Sequence, residues 1–80
     1  MDENTYMDAA REAWATRCRE LGLRKGTVKR EDQLAAFLQG VVAVATAAGL
    51  MPMHRAQMVA FMVAVGRGEE LLAPRVTEGA

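Results

Sequence analysis

Residues 34–65 read LAAFLQGVVAVATAAGLMPMHRAQMVAFMVAV, and this stretch decides the fold. Of its 32 residues, 24 are apolar, and Arg55 alone carries a permanent charge. Leu34, Phe37, Leu38, Val41, Val42, Ala45 and Ala48 recur at the three- and four-residue spacing of one helix face. The opposite face is hardly more polar, since Ala35, Ala36, Ala43, Val44 and Ala47 occupy it. Residues 41–44 in isolation read as a strand, but the alanine content and the longer 3.6-residue period select helix. Gly49 ends that helix, and Pro52 suits the first position of another, where its missing N–H costs nothing. Every residue from Met58 to Val65 is apolar, and Gly66 and Gly68 supply the stop. The spacing predicts helices over about 28–48 and 52–66, a short turn over 69–73 and a frayed tail over 75–80.

Working outward, a helix over about 6–21 precedes this region. Thr5-Tyr6-Met7-Asp8 fits a capping box, with the Thr5 hydroxyl as the cap. Met7, Ala10, Trp14, Cys18 and Leu21 then form one narrow apolar stripe on a charged helix. Gly22 fits the left-handed residue beyond the last turn, with Leu23 folding back onto Cys18. Thr27 is the expected cap of the second helix, with Glu31 and Asp32 on the favourable side of its dipole. The expectation is a single all-α domain of three helices, dominated by a long apolar hairpin of the second and third.

A helix that is apolar all round must be covered all round. In a chain of 80 residues, the second and third helices can cover one face of each other, and the first offers them one stripe. At least one broad face is left over, while monomers rarely show contiguous apolar patches beyond about 300–600 Å². Ala36 and Gly40, and Ala45 and Gly49, place small residues four apart, where helix backbones can approach closely. The expectation is a two-fold homodimer built as a helical bundle. Residues 33–53 run for 21 positions without a charge, the length of a membrane span. The Gly49-Leu50-Met51-Pro52 break and the interspersed Gln39, Gly40 and Thr46 argue against one, so no membrane is expected.

Ten basic and ten acidic residues cancel, so no overall field draws the chain to nucleic acid or anionic lipid. A lone cysteine, Cys18, excludes an intrachain disulfide and suits a reducing compartment. The first twelve residues lack the basic and apolar regions of a signal peptide, so the cytoplasm is the expected location. Ser and Ile are absent and Arg outnumbers Lys eight to two, a usage that fits a GC-rich bacterial, phage or plasmid genome.

Three groups of residues are candidate contact sites. The segment 17–30 gathers Arg17, Arg24, Lys25, Lys29 and Arg30, cations suited to phosphate or to an acidic protein patch. The helix that follows is apolar, the wrong chemistry for a recognition helix in the major groove, and no aromatic residues interleave the cations to stack bases. His54 and Arg55 lie at a helix start, where free amides and positive charge would together hold an anion. Met58, Phe61 and Met62 offer an adaptable apolar surface for a partner, with Phe61 as anchor and Met51 and Met53 nearby.

Neither a metal-ligand spacing nor a nucleophile with a base in reach is present. One His stands apart from the one Cys, so no metal, cofactor or enzymatic activity is expected. The pattern favours a small protein-interaction module: an adaptor, an assembly component, or an inhibitor encoded by a mobile element. The alternative is a dimeric nucleic-acid-binding regulator that uses the basic segment 17–30.

Overall fold

The computed structural model describes residues 1–73. Three helices and a closing turn follow in chain order: α1 over Glu3–Leu21, α2 over Val28–Ala47, α3 over Met53–Ala64, and a 3-10 turn over Gly68–Leu72. The domain is all-α, as the periodicity indicates. The notional tail over 75–80 lies outside the described residues.

α1 begins one turn earlier than the Thr5 capping box implies. Asp2 is the cap, its Oδ1 accepting from the Thr5 N–H at 2.8 Å, while Tyr6 N–H donates to the Asp2 carbonyl at 3.1 Å. A carboxylate caps more strongly than a hydroxyl, and with Glu3 it places two negative charges at the positive end of the helix dipole. Pro52 likewise sits one position earlier than expected. Its ψ of 157° makes it the extended cap residue of α3, and its carbonyl accepts the first helical bond from Ala56.

The three helix ends share one device. Gly22, Gly49 and Gly66 hold φ of 62°, 73° and 78°, a region costly for residues with a Cβ. After each, the next amide reaches back five residues: Leu23 to Cys18, Leu50 to Ala45 and Arg67 to Met62, at 2.8–2.9 Å. This is the Schellman closure, which satisfies carbonyls that the helix itself leaves open. It also stops α3 at Ala64, short of the expected residue 66, and α2 at Ala47.

The core forms where the helix stripes meet. Trp14 and Ala10 of α1 pack on Leu34, Leu38 and Val41 of α2, with Val59 of α3 and Leu72 of the turn. Leu38 is 1% exposed and sits at the centre; burying such a side chain stabilises by about 1.5–3 kcal/mol. A smaller cluster of Ala45, Met51 and Ala56 closes the other end, beneath Tyr6 and Met7. Tyr6 fixes that end by donating its hydroxyl to the Val41 carbonyl at 2.9 Å. Leu21, expected on the α1 stripe, is exposed. The Gly22 turn sends Leu23 inward in its place, where it is 6% exposed. Gly68 packs against Val63 and Leu38 so closely that a Cβ there would lie 2.9 Å from Val63 Cγ2.

Candidate interaction surfaces

The cations of the segment 17–30 do not form one patch. Arg30 turns inward and joins three parts of the chain. Its Nε and Nη2 donate to both carboxylate oxygens of Glu69 at 2.7 Å, and its Nη1 donates to the Leu23 carbonyl at 2.7 Å. The same guanidinium lies 5.9 Å from the Trp14 ring centre. Paired forks of this kind are short, directional and strong. Hydrogen bonding from Arg30 holds the Glu69 carboxyl below the usual range, and the nearby positive charge of Lys25 adds to the effect. In the other direction the Glu69 carboxylate raises the Arg30 pKa.

Arg17 is also engaged. Its Nη1 donates to Gln33 Oε1 at 3.4 Å and its guanidinium lies 5.7 Å from the centre of the Phe37 ring. Phe37 in turn packs tilted against Trp14, with centroids 5.4 Å apart. Arg24, Lys25 and Lys29 remain exposed to solvent. Arg24 contributes through its backbone, since the Thr27 hydroxyl that caps α2 donates to the Arg24 carbonyl at 2.7 Å. Local charge therefore overstates the free basic surface: two of the five guanidinium and ammonium groups are bonded within the fold.

At the start of α3, Arg55 points toward α1. Its Nη1 donates to Glu3 Oε2 at 2.8 Å, an ion pair that joins the two helix N-termini. His54 is exposed beside it. The positive charge that opposes the α3 dipole is thus balanced by an acid from the first turn of α1, which sequence spacing alone does not reveal.

The α3 face separates the methionines. Met58 and Phe61 are 49% and 64% exposed, and Val65, one turn further on, is 49% exposed. Met62 is half-buried, turned aside from Phe61, and Met51 lies in the core. Residues at i, i+3 and i+7 share one helix side, so Met58, Phe61 and Val65 form a continuous apolar ridge. On the other side of α3, away from this ridge, an apolar groove of about 330 Å³ runs between α2 and α3, lined by Leu38, Val42, Ala56 and Val59 with Gln39 and Ala60 at its edge. The outward side of α2 is small: Ala36, Gly40, Ala43 and Ala47 are all exposed.

A second, wider cleft of about 660 Å³ lies on the opposite side, between α1 and the 3-10 turn. Trp14, Cys18 and Leu72 line it, with Lys25, Arg30 and Glu69 around them. Long-range contacts create it, and sequence reading missed it: Arg30 and Glu69 are 39 residues apart, and Arg11 Nε donates to the Ala73 carbonyl across 62. The Trp14 Nε1–H is buried without a hydrogen-bond partner among the described residues. An unmet donor costs about 1–3 kcal/mol, and the burial of the rest of the indole offsets that cost.

Among the described residues, no three His, Cys, Asp or Glu side chains converge as a metal site. No helix among them is long and apolar enough to cross a membrane. Comparison of the chain with known protein families, curated proteins and solved structures finds no match to any of them.

Proposed function

We propose that this chain is a small non-enzymatic protein-interaction module that acts through the apolar surface of α3. One observation carries this reading: Phe61, the largest exposed side chain of α3, stands 64% open to solvent between Met58 and Val65 on a single helix side. Leaving that much apolar surface in water is unfavourable by about 25 cal/mol per Å², a penalty that a partner relieves. Aromatic and methionine side chains are also the residue types that concentrate binding energy at interfaces. The roles that fit are an adaptor, an assembly component, or an inhibitor of the kind mobile elements encode. A free half-buried cysteine suits work in a reducing compartment such as the cytoplasm.

Photo-crosslinking tests this reading. A photoreactive residue at position 61 is expected to yield protein adducts in cells, and one at position 28 is not. Val28 is the matched comparison because it is also an exposed apolar residue, at 73%, at the far end of α2. Equal adduct yields from the two positions, or none from position 61, would refute the proposal.

The alternative, a dimeric nucleic-acid-binding regulator, would depend on the exposed Arg17, Arg24, Lys25 and Lys29, since Arg30 is engaged within the fold. Its signature is binding to duplex DNA or RNA at low salt that weakens steeply as salt rises, because phosphate contacts release counterions. Fluorescence anisotropy with labelled duplexes checks it, and undetectable binding at low salt eliminates it.

A further inference from the structure

We propose that the 3-10 turn Gly68–Leu72 is a strap that opens as a unit about Gly66, ahead of the helices, and uncovers Trp14 and one end of the α2–α3 groove. This device goes beyond the interaction surface on α3 and does not depend on it. Gly66 holds φ of 78°, in the left-handed region where a residue without a Cβ turns freely. Within the strap, Leu72 and Gly68 are buried and Leu71 is half-buried, so little apolar area holds it down. Glu70 bonds Arg67, three residues before it, and adds no tie to the helices. Two polar attachments remain: the fork between Arg30 and Glu69, and the bond from Arg11 Nε to the Ala73 carbonyl.

Hollows flank the strap. The 660 Å³ cleft runs along its α1 side. A space of about 250 Å³ lies between Glu69 and Gly66 on one hand and Glu31 and Leu34 of α2 on the other. A third, of about 120 Å³, adjoins Gly66 and Gly68. A segment with few buried apolar contacts and open space on its flanks releases at lower cost than the helices it rests on. What it covers is specific. Leu72 packs in the same cluster as Trp14, and the Arg30 guanidinium that Glu69 holds lies over the indole. Release of Glu69 therefore loosens both covers of the ring. Gly68 rests on Leu38 and Val63, which also line the α2–α3 groove, so opening lengthens that groove toward Trp14.

Trp14 is the one tryptophan of the chain, so its fluorescence reports on the strap, while far-ultraviolet circular dichroism reports on the helices. A urea titration of the native chain followed by both signals tests the proposal. Trp14 is expected to become accessible to acrylamide, a fluorescence quencher, at a urea concentration about 0.5 M or more below the helix midpoint. Glu69→Gln is expected to lower the Trp14 midpoint further and to move the helix midpoint less. Glu12→Gln, at the exposed rim of the same cleft, is expected to leave both in place. Coincident midpoints in the native chain mean a single all-or-none transition and overturn the proposal. Equal shifts of both signals in Glu69→Gln overturn it as well, as does a Glu12→Gln effect as large as that of Glu69→Gln. Photo-crosslinking at position 61 is independent of each of these results, so the two readings fail separately.

Discussion

Around Arg30, charge is turned inward: one guanidinium serves Glu69, the Leu23 carbonyl and the Trp14 ring together. Across the outer face of α2 and α3 the reverse holds, and Phe61, Met58 and Val65 stand in solvent while no charge lies between Asp32 and Arg55. Both regions depart from the ordinary surface of a small domain, in opposite directions. The Arg30 end uses polar groups for cohesion, because a turn of five residues has too little apolar area to hold itself down. The α3 face has apolar area that the described residues leave uncovered. In this molecule residue type alone misjudges exposure: Arg30 of the cation cluster is partly internal architecture, while Phe61 of an apolar helix stands in solvent.

The contrast is sharpest where substitutions should cost most. Leu38→Ala, at the point where α2 meets both Val59 and Leu72, is expected to destabilise by about 2–5 kcal/mol. Chemical denaturation measures it. Gly68→Ala should cost about 1–3 kcal/mol by overpacking, because the new methyl meets Val63 Cγ2 at 2.9 Å and Leu38 Cδ1 at 3.2 Å. A neutral result there would show that the 3-10 turn is free to shift, and would weaken the view of that end as the cohesive one.

Arg30→Met should cost about 2 kcal/mol by removing charge-assisted hydrogen bonds, and it should also change the response to acid. The folded-state pKa of Glu69 lies below its ordinary value because Arg30 hydrogen-bonds the carboxylate. Its contribution is therefore complete above the unfolded pKa, near 4.5. It is lost as pH falls through the lower folded value. Urea melts on either side of that window should show the native chain losing stability in acid and the Arg30→Met variant losing less. The smallest effect belongs to the outer face of α3: Phe61→Ser should stay within about 0.5 kcal/mol of the native chain. A large destabilisation would mean that Phe61 is part of the core and would erase the difference between the two regions.

How far this was legible in the sequence follows the range of the interactions. Helix stops were legible to within two residues because a glycine after the last turn is a local signal, and Gly22, Gly49 and Gly66 each close a six-residue loop. Helix starts were off by one position at Pro52 and by one turn at Asp2, where two acceptable caps competed and the charged one prevailed. The buried face of α2 was legible from its period, apart from Ala48, which falls beyond the helix and is exposed. The exchange of Leu21 for Leu23 was not, since the turn geometry decides which leucine points inward. Pairings across 39 and 52 residues, Arg30 with Glu69 and Arg55 with Glu3, leave no periodic trace. They changed the standing of Arg30 and Arg55 as candidate contact residues.

The shared glycine closures also bear on how the chain folds in time. Each helix carries its own terminus, set by bonds that span six residues, so helix ends can be fixed before any helix has met another. The contacts that seat the 3-10 turn join Arg30 to Glu69 and Arg11 to Ala73 and must close loops of 39 and 62 residues. Loop closure on that scale is entropically costly and is repaid only once the helices it bridges are packed. The 3-10 turn is then expected to seat only once the helices it bridges have packed, as a latch on the domain.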